Sequence, residues 1–324
     1  MTELTLNLDF PHRWANNAGY FMAREHNFYR EEGIDLSITA ADPHGPDSLQ
    51  RLSRGDVDVA CNHPQRLMRH VELEDDVLSV AAVNDTGLES LIFDTRKPVH
   101  KMLDLEGNRV ATPPSARIQH MLRTVMEQHG ADPDRVEFLE RRRGDQHPLQ
   151  IQTGAFDAVW GGYWPWEGVL SQLECDRIDW YTAPELGAPD IHNSVLAVQG
   201  KTAREAPDLV RAFLRATVLG FRAAADAPHA AAATMSKLEP SYSDRAFAAA
   251  IAATATTWNL DTWGTHDMRL VRDYATWLVS EGFLYWFQRH ETGFTDAFLP
   301  GAAGLKTAHA ERGDDRGGAT RDVV

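Results

Sequence analysis

Along most of the chain, short segments in which apolar and polar residues alternate are followed by segments in which apolar residues recur every three or four positions, as in a helix. Leu4, Leu6 and Leu8 alternate with polar neighbours in "LTLNLDF", which predicts a strand. A helix over residues 17–31 is predicted next, ending before Gly33, and the strand "IDLSI" follows it. The alternation continues through about 200 residues and predicts an α/β fold with helices flanking a mostly parallel sheet.

The predicted strands fall into two series, which indicates two similar halves and not one long sheet. The first series continues with "DVDVAC" and "VLSVAAV", beside predicted helices over 47–52 and 64–71. The second series starts near Ser90 and contains "RVATP", the helix "ARIQHMLRTVMEQHG", "VEFLE" and "FDAVWGG". After about Gly200, helices are predicted over 208–225, 244–255 and 266–281. The Gly- and charge-rich segment 301–324 is predicted to be a disordered tail.

Composition narrows the classes of protein to which the chain can belong. A chain of 324 residues usually forms two compact domains. Its two cysteines, Cys61 and Cys175, exclude a disulfide framework, and its 14 histidines show no metal-binding spacing, so neither a metal nor another cofactor is expected. A net charge of −15 disfavours binding to nucleic acid or to an anionic membrane.

The start of the chain bears on its location. No apolar run is long enough to insert into a membrane, and "MTELTLNLDF" lacks the features of a secretory signal. The sequence as written therefore predicts a cytoplasmic protein. A periplasmic or other extracytoplasmic location is the expectation if a leader has been removed.

Several phrases together resemble the periplasmic-binding-protein-like superfamily, type 2. They are "LNLDF", "AGYFMAREHNFYREEGIDLSI", "LSRGDVDVAC", "LEGNRVATP", "FDAVWGG" and "GFTDAFLP". Within it the chain is similar to the branch of alkanesulfonate- and nitrate-binding proteins, thiamine-pyrimidine-precursor-binding proteins and the eukaryotic thiamine pyrimidine synthase. The likeness covers roughly residues 4–300.

This resemblance implies two lobes, joined by two crossover strands, that close on a small molecule like a hinge. Lobe one is expected to comprise residues 1–89 plus the helical return 198–300, and lobe two residues 90–197. The segments "SLIFD" and "NSVLAV" are the expected crossovers.

The segment "FDAVWGGYWPWEG" places three tryptophans and a tyrosine around a Gly-Gly pair, at a predicted strand-to-helix junction. Glycines let another segment or a ligand approach the backbone closely, and aromatic rings stack on planar heterocycles. The alternative is that some of these rings fill the core between the lobes. The ligand-binding residues predicted here are Trp160, Gly161, Tyr163 and Trp164.

In the resembled family the first loop contributes pocket residues, commonly an aromatic ring with polar neighbours. The matching loop here is "DFPHRWANNAGY", and its candidate ligand-binding residues are Asp9, His12 and Trp14. Trp14 is expected to stack on the ligand face opposite lobe two. Asn16 is expected to cap the following helix.

Further polar candidates follow other predicted strands. Asn62 and His63 stand where a helix begins, which favours acceptors or anions. Ser115 as helix cap and Arg117 resemble the anion-holding turn of the family, although capping plus a solvated arginine explains them equally well. His192 is expected near the hinge. The basic run "LERRRGDQH" is interpreted as a solvated turn.

Two departures from the family bear on catalysis. The synthase has a Lys and a His four apart after the third strand, where this chain has Asn62 and Arg66, and a cysteine-rich stretch that is missing from "GAPDIHN". The aromatic sulfinate desulfinases of the same scaffold use a cysteine in the first loop, where this chain has Trp14. A cysteine nucleophile of that kind is therefore not expected.

The function predicted first is capture of a planar aromatic or heteroaromatic small molecule, such as a thiamine pyrimidine precursor, between two hinged lobes. The alternative is a cytosolic enzyme, desulfinase-, decarboxylase- or pyrimidine-synthase-like, in which His12, His63 or His192 works with Asp9 as acid–base groups. If the protein is exported, an ABC transporter permease is the implied partner.

Overall fold

The structure is a computed structural model that describes residues 1–97, 99, 101–141, 149–285 and 290–301. Arg142, Arg143 and the tail from residue 302 onward, on which two of the sequence predictions fall, lie outside the described residues.

Two five-stranded sheets form the framework. The first sheet has the order β2-β1-β3-β10-β4, and its strands are Thr2–Asn7 (β1), Ile34–Thr39 (β2), Val59–Asn62 (β3), Val77–Ala82 (β4) and Val195–Gln199 (β10). The second sheet has the order β7-β6-β8-β5-β9, and its strands are Glu89–Asp94 (β5), Arg109–Thr112 (β6), Glu137–Glu140 (β7), Ala158–Tyr163 (β8) and Ile178–Thr182 (β9).

The direction of the strands reveals where the chain passes between the sheets. In the first sheet β1 runs parallel to β2 and β3, whereas β10 is antiparallel to β3 and β4. In the second sheet β6 runs parallel to β7 and β8, whereas β5 is antiparallel to β8 and β9. The predicted crossovers "SLIFD" and "NSVLAV" therefore lie in β5 and β10. The chain enters the second sheet through β5 and returns to the first sheet through β10. This is the predicted type 2 periplasmic-binding-protein fold.

The helices flank the sheets and then form a helical return. They are Ala18–Glu25 (α1), Phe28–Glu31 (α2), Ser48–Arg54 (α3), Pro64–Glu72 (α4), Ala116–Gln128 (α5), Leu149–Thr153 (α6), Val169–Glu174 (α7), Gly200–Glu205 (α8), Pro207–Asp226 (α9), Pro228–Leu238 (α10), Asp244–Ala255 (α11) and Met268–Ser280 (α12). Shorter 3₁₀ turns cover Ala15–Asn17, Met102–Leu105, Pro133–Arg135, Pro184–Leu186 and His290–Gly293, and Trp164–Gly168 forms a π-helical turn. Among the helices of the described residues, none combines the length and apolarity needed to cross a bilayer.

Two units can be distinguished by these elements. We call β1–β4 and β10, with α1–α4 and α8–α12, the first unit, and β5–β9, with α5–α7, the second unit. In the first unit α9 packs against α1 so closely that a Cβ atom on Gly220 would lie 2.1 Å from the carbonyl oxygen of Gly19. Glycine at position 220 therefore allows α9 of the helical return to pack directly on α1.

Most predicted elements are confirmed, with one clear exception in the first helix. The predicted helix over 17–31 is wrong as a single element because it is split into α1 and α2. The break lies at Asn27, whose φ of 61° is in the left-handed region. Asparagine tolerates that conformation better than most residues, so the chain turns there.

Candidate ligand-binding cleft

A narrow cleft, with room for little more than one water molecule, lies between the two units. The first unit lines it with Phe10, His12 and Trp14 from the loop after β1, and the second unit with Pro113, Arg141, Gly161, Tyr163, Trp166 and Glu167. Most of these residues follow the carboxyl ends of parallel strands, where open α/β sheets hold their ligands. Aromatic walls with a few polar groups are typical of small-molecule sites.

A wider and more open groove lies elsewhere on the first unit. It is lined by Asp76, Arg204 and Phe298 among others, where β4 begins and β10 ends. Arg204 and Asp76 pair there at 2.8 Å, so their charges are matched. Because this groove lies at the amino end of β4 and holds no stacked rings among the described residues, the inter-unit cleft is the better candidate.

Trp14 and Tyr163 meet face to face across the cleft. Their ring centroids are 5.2 Å apart and their planes differ by 23°. Phe10 contacts both rings edge-on, at 5.6 Å from Trp14 and 5.9 Å from Tyr163. Trp166 contacts Trp14 edge-on at 6.4 Å. The structure thus brings together aromatic rings from both units, as a clamp for a flat molecule requires.

Local hydrogen bonds hold the backbone of Trp14 and of Tyr163 in place. The N–H of Trp14 donates to Oδ1 of Asn17 at 3.1 Å, at the start of the 3₁₀ turn before α1. Asn16, expected to be the cap, is instead buried and accepts a 2.8 Å bond from Nε1 of Trp258. On the other side the N–H of Tyr163 donates to Oε2 of Glu167 at 2.5 Å.

Glu167 also forms a buried ion pair with Arg141. Nη2 of Arg141 lies 2.8 Å from Oε1 of Glu167, and both side chains are almost fully buried. The interpretation of the basic run as a solvated turn is therefore wrong for Arg141, the first of its three arginines. Sequence reasoning missed this residue, although its place directly after β7 matches that of the other candidates at strand ends.

Trp160 lies in the interior of the second unit. It is fully buried, clusters with Leu91 and Val110, and its Nε1 donates to the carbonyl oxygen of Ile118 at 2.7 Å. Trp164 is half-buried and stacks on Trp180 of β9, with ring centroids 6.0 Å apart. Neither ring lines the cleft, whereas Trp166, which was not among the predicted ligand-binding residues, does.

The glycines of this segment make room for the protein itself. A Cβ atom on Gly161 would lie 2.6 Å from Cγ2 of Ile118 in α5, and its φ is +77°. Ser90 pairs with Gly162 and Leu91 with Trp160, so Gly161 is an extra residue in β8. A glycine in this conformation at such a place is a β-bulge.

His12 is the predicted histidine that lines the cleft. Its burial lowers the pKa of the ring, against the opposing effect of the carboxylates of Glu239 and Glu167. The neutral imidazole therefore prevails near neutral pH. Asp9 in the same loop is half-buried and lies near Cys61, whose thiol pKa is raised by burial and, second, by this carboxylate.

Asn62 and His63 support the first unit. Nδ2 of Asn62 donates to Oγ of Ser48 at 2.8 Å. Nδ1 of His63 accepts the N–H of Gln65 at 3.2 Å and so caps α4. Neither residue lines the cleft.

The predicted anion-holding turn is occupied by an internal ion pair. Arg117 is buried, and Nη2 lies 2.5 Å from Oε1 of Glu89. Burial acts to lower the pKa of Arg117, but Glu89 outweighs it and the pKa is raised. Ser115 precedes α5 as expected, without a side-chain capping bond among the described residues. Because Glu89 already neutralises the guanidinium, this turn is not available for a ligand anion.

His192 is buried in the connection between the units. Its Nδ1 lies 2.8 Å from the carbonyl oxygen of Asn84, and its Nε2 accepts the N–H of Asp267 at 2.8 Å. Burial lowers the pKa of His192. A neutral ring with its proton on Nδ1 satisfies both contacts, so His192 joins three segments and does not line the cleft.

Comparison with known proteins supports a common origin with binding proteins. The family model described as NMT1/THI5 like matches residues 14–231. The formylaminopyrimidine-binding protein of Halalkalibacterium halodurans is 26% identical over 212 residues, which cover 64% of this chain and 63% of that protein. The match thus spans less than two thirds of the curated relative.

Solved structures show the same fold at low sequence identity. The periplasmic aliphatic sulphonate binding protein SsuA from Escherichia coli has a TM-score of 0.71 at 14% identity, covering 90% of this chain and 97% of that one. The desulfurization enzyme DSZB has a TM-score of 0.63 at 15% identity, covering 94% and 99%. The family match covers well over half of the chain. The chain therefore belongs to the NMT1/THI5-like family.

Proposed function

We propose that this protein binds a small planar heteroaromatic molecule, a pyrimidine in the first instance, reversibly between Trp14 and Tyr163. The observation that carries the proposal is the stack of these two rings across the inter-unit cleft. Each ring presents a face to the other unit, and a flat ligand between them would contact both.

The comparisons support a pyrimidine over other flat ligands. The curated relative is named a formylaminopyrimidine-binding protein, and the similarity to it extends over most of this chain. Sandwiching of a heterocycle between two aromatic side chains adds roughly 0.5–1.5 kcal/mol per ring pair beyond the burial of area. Two rings therefore supply a substantial part of the affinity of a small ligand.

Thermal unfolding with a panel of pyrimidines, sulfonates and aromatic acids tests the proposal. A ligand at a hundredfold excess over its Kd stabilises the native state by about 2.7 kcal/mol, which a thermal shift detects readily. Mass spectrometry of the recovered ligand then separates binding from catalysis: a binding protein returns the ligand unchanged, whereas an enzyme returns a product. The proposal fails if no planar ligand raises the melting temperature.

Delivery of the ligand to an ABC transporter permease is part of the proposal for a protein located outside the cytoplasmic membrane. A cytoplasmic location would instead make the protein an intracellular carrier or an enzyme. Fractionation of cells that express the native gene, followed by immunoblotting, separates these two roles.

A further inference from the structure

Two donor nitrogens of a buried guanidinium in the cleft lack a hydrogen-bond partner among the described residues. Arg141 is held by its backbone N–H, which donates to the carbonyl oxygen of Thr112 at 2.7 Å, and by Glu167 at Nη2. Its Nε and Nη1 are buried and find no acceptor among the described residues. Buried donors are nearly always paired in native proteins, and leaving one unpaired destabilises the native state.

Two indole N–H groups of the same cleft likewise lack an acceptor among the described residues. Nε1 of Trp14 and Nε1 of Trp166 are buried without an acceptor among the described residues. Both side chains line the cleft with Arg141. Glu167, the carboxylate that lines it, is engaged through both oxygens, by Arg141 and by the N–H of Tyr163. The cleft therefore offers hydrogen-bond donors to a ligand that brings an acceptor.

The charges around the cleft decide what kind of acceptor fits. The positive charge of Arg141 is matched by Glu167 at 2.8 Å, and the carboxylate of Glu239 lies near His12. Among the described residues, a ligand anion would therefore add an unmatched negative charge to a buried site, which is unfavourable. A neutral carbonyl oxygen accepts from the free N–H groups without that cost.

We infer that one of the two unpaired N–H donors of Arg141, on Nε or on Nη1, donates to a neutral carbonyl-type oxygen of the ligand, such as that of a formyl or carboxamide group, and that the cleft discriminates against carboxylates and sulfonates. The inference rests on the proposed function, because it assigns a subsite for a substituent of the stacked ring. It makes Arg141 a specificity-determining residue.

Isothermal titration calorimetry with three probes tests the inference. The probes are a formylaminopyrimidine, the same pyrimidine with an alkyl group in place of the formylamino group, and the same pyrimidine with a carboxylate there. The wild-type protein should bind the formyl compound at least about tenfold more tightly than the other two, since one or two hydrogen bonds to a charged donor are gained.

Arg141→Lys is the informative variant because it keeps the positive charge beside Glu167 and loses the planar fork of donors. It should bind the formyl compound about tenfold more weakly and the alkyl compound as before. Arg123→Lys is the matched control, since Arg123 lies in the same unit and pairs with the exposed Asp134. Arg141→Gln combined with Glu167→Gln, which removes both charges together, should also lose the preference for the formyl compound.

The outcomes separate this inference from the proposed function. If Arg141→Lys keeps the preference for the formyl compound, or if the carboxylate compound binds to the wild type as tightly as the formyl compound, the subsite is wrong while ring stacking stands. If the wild type binds none of the three pyrimidines, the proposed function fails and the inference fails with it.

Discussion

Trp14 and Tyr163 stack on each other across the two units, with 5.2 Å between ring centroids. Carbon atoms in contact lie about 3.5–4.0 Å apart, so a flat ligand between two rings needs about 7 Å between their planes. Entry of a ligand therefore requires the two units to separate by a few ångströms. The stack closes the cleft until a planar molecule takes its place, which is consistent with hinged closure in this fold.

Removal of the first-unit ring should weaken binding. Trp14→Ala is expected to reduce the affinity for a planar pyrimidine about tenfold or more, because one stacking surface and its buried area are lost. Titration calorimetry below the melting temperature measures this. Trp164→Ala is the matched control because that indole stacks on Trp180 outside the cleft, so its removal should leave the affinity unchanged. Equal losses in both variants would argue against the aromatic clamp.

The ion pair of Glu167 and Arg141 should matter for stability as well as for binding. Glu167→Gln leaves a buried guanidinium without its counter-charge, and breaking such a pair costs about 3–5 kcal/mol. Urea unfolding of the ligand-free protein should show this loss. Asp134→Asn, which breaks the exposed pair with Arg123, should change the free energy of unfolding by less than about 1 kcal/mol. A loss from Glu167→Gln as small as that would contradict the described burial.

Stability should fall as the pH is lowered through the ordinary pKa of histidine, about 6.5. Burial lowers the pKa of His192 in the folded state, so the unfolded chain binds the proton first and the free energy of unfolding decreases as pH falls from that value. Protonation of Nε2 would also replace the acceptor of the Asp267 N–H with a donor. Urea unfolding between pH 8 and about pH 5 measures the slope.

A substitution identifies the part of this slope that comes from His192, since burial also lowers the pKa of His12. His192→Asn should reduce it, because the titrating group is removed while an amide can still donate to Asn84. His229→Asn is the control, since His229 is exposed on α10. An unchanged slope in His192→Asn, together with a changed slope in His229→Asn, would contradict the assignment.

Much of the fold could be predicted because its strands and helices follow simple periodicities. The alternation of Leu4 and Leu6 with polar residues is that of β1, and the helices over 244–255 and 64–71 are found almost as predicted. The break at Asn27 could not be read from apolar spacing, since a left-handed residue changes the backbone direction without changing the pattern.

The sequence pattern did not predict on which face of β8 the rings of Trp160 and Tyr163 lie. Strict alternation would place Trp160 and Trp164 on one face, with Tyr163 on the other. The bulge at Gly161 adds a residue, so Trp160 and Tyr163 oppose Leu91 and Glu89 on the same face. Tyr163 at the end of the strand reaches the cleft, and Trp160 in its middle is covered by α5.

Charged residues were the other source of error, because their partners come from distant parts of the sequence. Arg117 pairs with Glu89 and Arg141 with Glu167, and each separation exceeds 25 residues. Nothing local to either arginine distinguishes a ligand-binding guanidinium from a structural one. Only the tertiary structure shows that Arg117 is engaged while Arg141 has two donors without an acceptor among the described residues.

A crystal structure of the protein with a bound formylaminopyrimidine tests the central claim most directly. We predict that the pyrimidine ring lies between Trp14 and Tyr163, with the ring planes of these residues separated by about 7 Å. A complex in which the two rings keep their direct stack while the pyrimidine is bound elsewhere would contradict the account.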